Sequence, residues 1–529
     1  MKKHIIISFL VWCIISVNAG KAFSQKKSKD DRPNIILIMA DDMGYSDIGC
    51  YGSEISTPNL DRLAKNGVRF RNFYNETKCC PSRASLLTGI YHHEAGVGGM
   101  ISESDKEITE GPYQGFLNEK SITIAEILKN VGYSTYMAGK WHLGERKEHW
   151  PVKRGFDKHF GLISGASSYF ELILNQERKR VMANNDQSWF PPESDFYMTD
   201  AFTDSAVSMI SEHVKQQSEK PFFLYLAYNA PHWPLHALPE DIEKYEGKYD
   251  IGWDSIRQQR FDKMIREGIW DESIKLSPRP ESVEAWKKQE NKKQWARLMQ
   301  IYAAMVDRMD QGIGRVLYEL EKNQLSENTL IIFLSDNGAC SVSVEERGLH
   351  IDGSVVGQKG SYKAYKEPWA NVSNTPFRFY KNWIHEGGIS TPFIMYWPKY
   401  IKRKRIIKND YGHILDVMPT ILELTETKYP QTYKGKKLVS LKGRSLMPLV
   451  HNKTVEERKE PLFWEFNGAA AVRLGDYKLV SYRDKKWELY HLKSDPTELF
   501  DLSSEQPELT NEMKKLYQEW ACRVGVKKK

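Results

Sequence analysis

Apolar residues in this chain gather in short unbroken runs rather than alternating with polar ones. Runs at 35–39, 135–137, 222–228, 330–334 and 393–397 have the length of strands. Continuous runs of this kind suit strands buried on both faces of a parallel sheet. Between them lie segments of helical character, at 57–66 (Pro58 near the start, Gly67 after the end) and at 122–130. Strand and helix in alternation predict an α/β layered core. After about Glu426 the texture changes. Residues 468–492 read as short strands with turns, Asp484-Lys485-Lys486 among them, and a closing amphipathic helix is expected near 509–521. These features predict a smaller C-terminal antiparallel-sheet domain of α+β type. The charged, Trp-bearing stretch 239–295 reads as an insertion near the mouth of the core, most of it a solvated surface helix pair.

The N-terminus adds a destination. Met1-Lys2-Lys3-His4 precedes an apolar run over 5–17, then Asn18-Ala19-Gly20 and a polar stretch to Asp31. A basic start, a short apolar middle and small residues after it describe a secretory signal peptide, too short to span a membrane. Cys13 sits inside the run rather than after it, which disfavours lipid attachment. The expected division is therefore a signal peptide at 1–24, a catalytic α/β domain at 25–425 and a smaller domain at 426–529. No membrane span is expected after the leader, and the exported chain is expected in the periplasm. With 76 Lys+Arg against 69 Asp+Glu the net charge is +7, too small and dispersed to point to nucleic acid. Six cysteines do not make a disulfide framework in a chain of 529 residues, and five remain once Cys13 leaves with the leader. The adjacent pair Cys79-Cys80 needs another explanation.

Chemistry collects just after the apolar runs. The first ends in Asp41-Asp42, the fourth in Asp336-Asn337-Gly338, the second leads to Lys140-Trp141-His142, and the third to Asn229-Ala230-Pro231-His232. Ligands of open α/β sheets bind at the carboxyl ends of the strands. Asp41, Asp42, Asp336 and Asn337 offer only oxygen, which suits a hard cation such as Ca²⁺ or Mg²⁺. Alone, Asp41-Asp42 reads more readily as a helix cap and Asp336-Asn337 as a turn with Gly338 than as ligands; finding both after buried strands favours a metal.

The segment Cys79-Cys80-Pro81-Ser82-Arg83-Ala84-Ser85-Leu86-Leu87-Thr88-Gly89 carries the most information. Pro81 fits a first helical turn. A side chain at that turn faces free N–H groups and the positive end of the helix, with Arg83 adding a fixed charge. Read alone, the pair is a low-pKa nucleophile, a redox element or a structural feature.

Cys-x-Pro-Ser-Arg followed by Leu-Leu-Thr-Gly resembles the maturation signature of type I sulfatases, in the alkaline-phosphatase-like superfamily. Gly139-Lys140-Trp141-His142-Leu143-Gly144 resembles that family's second signature. Pro231-His232 and Lys381, five before Glu386-Gly387-Gly388, fall where the family has catalytic groups. The resemblance implies a three-layer αβα core with a large mostly parallel sheet. It implies that a sulfatase-maturating enzyme oxidises Cys79 to formylglycine, with Cys80 at a variable position. One Ca²⁺ would be held by Asp41, Asp42, Asp336, Asn337 and the modified residue 79. Arg83 and Lys140 would stabilise the hydrated aldehyde and accumulating negative charge, and Lys381 and His232 would contact the sulfate and protonate the leaving oxygen. His142 would be the base that frees the sulfate. The implied activity is hydrolysis of sulfate monoesters, with a phosphonate or phosphate ester hydrolase on the same scaffold as the alternative. The stretch from Asn374-Thr375-Pro376-Phe377-Arg378 to Trp397-Pro398 resembles the arylsulfatase-containing branch. A sulfated carbohydrate, galactose-type for instance, or an aryl sulfate is the expected substrate. Trp233, Trp369 and Trp464 are candidates for stacking on a sugar, with core packing as the competing role.

Overall fold

The computed structural model describes residues 31–527, apart from 102–109, 174–179, 217, 403, 452, 454–457 and 484. The expected signal peptide at 1–24 lies outside the described residues.

Ten strands build the main sheet: β1 (Asn34–Ala40), β2 (Val68–Tyr74), β3 (Ser134–Gly139), β4 (Lys158–Leu162), β5 (Met182–Asn184), β6 (Gln187–Trp189), β7 (Phe222–Ala227), β8 (Thr329–Ser335), β9 (Phe393–Tyr396) and β10 (Arg405–His413). Their order is β10-β2-β9-β8-β1-β7-β3-β4-β5-β6. The contiguous block β8-β1-β7-β3-β4 is parallel throughout. Alternate residues of β1 serve opposite layers: Ile36, Ile38 and Ala40 pack with one apolar core, Ile35, Leu37 and Met39 with the other. That double burial is why the runs are unbroken, and it gives the three-layer αβα architecture. On one face lie the helices α1 (Pro58–Asn66) and Lys292–Lys322; on the other lie α2 (Cys79–Thr88) and α3 (Ile124–Asn130). A capping box starts α3, with Thr123 accepting from Glu126 N–H at 3.0 Å and Glu126 accepting from Thr123 N–H at 2.9 Å.

Some elements differ from the sequence reading. The run at 393–397 forms β9, which lies antiparallel to both β2 and β8. An apolar run reports burial on two faces and carries no direction. β2 and β10 were not legible because polar residues interrupt them. The stretch 239–295 exposes most of its residues, as expected, but its tryptophans are not solvated. Trp253 and Trp286 are buried and pack edge-on, and Trp253 also meets Trp295 and Trp369 edge-on, pinning the segment to the core.

After a short hairpin of β11 (Thr432–Tyr433) and β12 (Lys436–Lys437), a second sheet runs as an antiparallel meander. Its strands are β13 (Leu462–Phe466), β14 (Ala469–Leu474), β15 (Tyr477–Ser481) and β16 (Glu488–His491). Leu462 and Trp464 face Tyr74, Ile384 and Ile389 of the core, while Phe463 and Leu479 face the closing helix Pro507–Val524. A buried ion cluster joins this sheet to the core. Lys478 of β15 reaches Glu386 at 2.8 Å and Glu498 at 2.9 Å, and Glu386 also accepts from the Tyr74 hydroxyl at 2.8 Å. Losing this lysine would take the direct ion pair from two buried carboxylates. Lys478→Met is expected to lower the unfolding free energy by about 3–5 kcal/mol, read as a lower denaturant midpoint. A loss under about 1 kcal/mol would show that the cluster does not hold the sheet.

Candidate active site

The strands β8, β1, β7 and β3 are neighbours and point the same way, so their carboxyl ends open on one edge. Asp336-Asn337, Asp41-Asp42, His232 and Lys140-His142 therefore converge there, as expected for an α/β sheet. Lys381 arrives from the segment before β9, and α2 brings Cys79 as its first residue with Arg83 one turn later. None of these ten side chains belongs to a residue more than 5% exposed.

α2 is buried along its whole length, with Lys78 as N-cap and Gly89 at φ +66° closing it. Its ten residues face protein on every side, which explains the absence of an amphipathic stripe. Ser82 fixes it to the metal-candidate loop by donating from Oγ to the Asp336 carbonyl at 2.5 Å. The Lys140-Trp141-His142 run works by alternation. Trp141 points into the core and donates its indole N–H to the His149 carbonyl, leaving Lys140 and His142 facing the site. Asp42 and His142 hold left-handed backbone at φ +64° and +54°. Such positions persist only where neighbours fix them. Here Asp42 N–H donates to Asp336 Oδ1 at 3.1 Å, and His142 N–H to the Ile163 carbonyl at 3.1 Å.

Three cations meet three carboxylates. Lys140 Nζ lies 2.6 Å from Asp41 Oδ2, Lys381 Nζ 2.5 Å from Asp42 Oδ1, and Arg83 Nη2 3.1 Å from Asp336 Oδ2. Asn337 Nδ2 donates to Asp42 Oδ1 at 2.7 Å, which turns its own oxygen outward. Asp41 Oδ1, Asp42 Oδ2 and Asn337 Oδ1 are buried and have no hydrogen-bond partner among the described residues. Buried polar atoms are nearly always satisfied, so three orphan oxygens at one spot form a ligand set suited to a cation. An all-oxygen set of this kind fits Ca²⁺. Burial and the charge of Asp41 push Asp336 up to about 8, and burial also raises Asp41 despite Lys140 and Arg83. Against burial, Lys381 and His232 hold Asp42 near about 2.

The expected residues are thus brought together, with two adjustments. Asp41, Asp42 and His232 offer atoms lying within 4.8 Å of one another, so His232 joins the candidate metal group. Both oxygens of Asp336 already accept from Asp42 N–H and Arg83, so its part is to anchor as much as to ligate. His232 Nδ1 lies 2.6 Å from the Trp233 carbonyl, which can only accept. Its proton therefore sits on Nδ1, and Nε2, 3.4 Å from Asp42 Oδ2, presents a lone pair. Burial holds the ring neutral, with its pKa at about 3.

Cys79 Sγ lies 3.3 Å from His142 Nδ1, while His142 Nε2 has no partner among the described residues. The Cys80 thiol and, against burial, Lys140 and His142 draw Cys79 well below the usual thiol range. No disulfide joins Cys50, Cys79, Cys80, Cys340 or Cys522. Sequence reasoning missed Gly165: a Cβ there would stand 2.5 Å from His142 Cε1. No sequence motif marks it, since the contact spans two separate strand ends. Of the tryptophans, Trp369 and Trp464 are core residues, whereas Trp233 is half-buried beside His232.

A doubly covered parallel sheet with buried carboxylates, cations and a nucleophile candidate at one edge defines an ester hydrolase of the alkaline-phosphatase-like superfamily. The family model described as "Sulfatase" matches residues 33–427, so this chain belongs to the sulfatase family and is a sulfuric ester hydrolase. A second model, "N-sulphoglucosamine sulphohydrolase, C-terminal", matches 377–522. An uncharacterised sulfatase of Schizosaccharomyces pombe is 35% identical over 95% of both chains. An arylsulfatase of Klebsiella aerogenes is 35% identical over 82% of this chain and 95% of its own. The crystal structure of Ps i-CgsB in complex with k-i-k-neocarrahexaose is 27% identical, covers 93% of each chain and superposes with a TM-score of 0.69. Among the described residues no helix is long and apolar enough to cross a membrane.

Gly165→Ala tests the packing around His142. The added methyl must displace the ring, and a shift near 1 Å is expected to lower kcat/KM on an aryl sulfate about 100-fold. Unchanged kinetics would show that the ring position does not matter.

Proposed function

We propose that this sulfatase hydrolyses sulfate monoesters on carbohydrates, acting at chain ends, through formylglycine at position 79 and one Ca²⁺. The observation that carries this reading is Cys79 at the start of buried α2, facing His142 beside three orphan oxygens. Asp41, Asp42 and Asn337 would hold the cation, with Asp336 positioning the set and residue 79 completing it. Since three cations already match three carboxylates, a bound Ca²⁺ would add net positive charge to hold the sulfate. The hydrate of the formyl group would supply two hydroxyls on one carbon, one to take the sulfate and one to release it.

The side chains divide the remaining work. Lys140 and Arg83 keep the centre cationic where negative charge accumulates. Lys381, held charged by Asp42, donates the proton to the leaving oxygen, while neutral His232, its Nε2 lone pair toward Asp42, borders the cation rather than donating to the sulfate. His142 Nδ1 faces residue 79 and takes the proton whose loss expels the sulfate. We extend the proposal to the residues outside the description: 1–24 as a signal peptide, periplasmic residence, and a maturating enzyme that acts on Cys79. The division at 25–425 and 426–529 belongs to the same proposal.

The test is to make the protein with and without a sulfatase-maturating enzyme, determine the mass of the peptide containing residue 79, and assay an aryl sulfate beside an aryl phosphonate. Activity on the sulfate is expected to scale with the aldehyde fraction and to exceed that on the phosphonate. A fully active preparation with unmodified Cys79 would overturn the formylglycine reading; preference for the phosphonate would favour the alternative hydrolase.

A further inference from the structure

Lys78, which immediately precedes the nucleophile position, differs from the other cations of the centre. Lys140, Lys381 and Arg83 are each committed to a carboxylate. Lys78 has no carboxylate within 4.0 Å among the described residues, and its ammonium lies toward the second sheet, 6.0 Å from the ring centroid of Phe466. Phe466 ends β13, and the turn after it accepts a hydrogen bond at Gly468 from Arg483 N–H at 3.0 Å. The β13–β14 turn and the start of the β15–β16 turn therefore sit side by side near Lys78.

The same turns meet the segment that carries Lys381. Thr77 Oγ1 donates to the Trp383 carbonyl at 2.7 Å, and Asn382 N–H donates to the Thr77 carbonyl at 3.3 Å. Trp383 is half-buried and stacks on Tyr482 at 3.6 Å. Arg483 lies 5.0 Å from the Tyr482 ring centroid, and Lys485 5.7 Å from that of Trp383. Arg483 and Lys485 are exposed and, like Lys78, have no carboxylate within 4.0 Å among the described residues. Ring faces occupied by cations are poor platforms for a sugar, but they hold those cations in place. Positioned cations with no acidic partner among the described residues are suited to an oxyanion from outside.

We propose that Lys78, Arg483 and Lys485 form a rim that recognises a second sulfate on the substrate, beyond the ester being cleaved. This deepens the sulfatase reading and rests on it. The substrate class becomes a multiply sulfated carbohydrate, and the second sheet acquires a part in choosing it.

Competition against 4-nitrophenyl sulfate hydrolysis tests the rim at fixed ionic strength. The probes are sucrose octasulfate, which presents sulfates in every direction, and glucose 6-sulfate. For the wild type, the octasulfate is expected to inhibit at least about tenfold more tightly. In Lys78→Gln, and in Arg483→Gln combined with Lys485→Gln, that ratio is expected to fall to within about threefold, with Lys78→Arg restoring it. The exposed pair tests the rim without disturbing buried structure. A wild type that binds both probes alike, or variants that keep the ratio, would overturn the rim. A wild type that turns over only an aryl phosphonate would instead overturn the sulfatase reading, and the same ratios could then be read with that reporter.

Discussion

The site depends on one unfavourable arrangement: three carboxylates and an amide oxygen gathered out of water at the ends of adjacent strands. Two like charges about 4 Å apart repel by roughly 4 kcal/mol even at an effective dielectric constant near 20. Lys140, Lys381 and Arg83 each offset one carboxylate, yet oxygens of Asp41, Asp42 and Asn337 remain without partners. Much of the surrounding fold serves to hold this cluster. The parallel block aligns the strand ends, α2 inserts its N-terminus and Arg83 against them, and Asp336 secures the left-handed backbone at Asp42.

How much of this the sequence reveals depends on the range of the interaction. Buried strands write unbroken apolar runs, and a parallel block places their carboxyl ends together, so Asp41, Asp42, Asp336, Asn337, Lys140, His142 and His232 could be listed from local patterns. Lys381 is different: only its likeness to the sulfatase signatures pointed to it. The reversed direction of β9 left no local trace, since double burial looks the same either way. Gly165 became visible only when its missing Cβ was seen to leave room for His142. His232 was legible as a site residue, but its tautomer came from a carbonyl contact with Trp233.

The second sheet shows the same limit. Its strands and closing helix were readable from texture, whereas the meeting of its β13–β14 and β15–β16 turns with Lys78 and Trp383 joins segments far apart in the chain. Its attachment through Lys478 gives these turns a fixed position. In this account the core supplies the reaction centre, and the meander supplies the surface that chooses which sulfated molecule reaches it.

The central claim is that the orphan oxygens are built for a hard divalent cation. Titration of metal-stripped protein with Ca²⁺ by calorimetry, paired with thermal unfolding, measures it directly. The account predicts uptake of one ion per chain, a higher Tm with Ca²⁺ in excess, and loss of both effects in Asp42→Ala. An absence of uptake together with an unchanged Tm in a folded wild-type protein would contradict it.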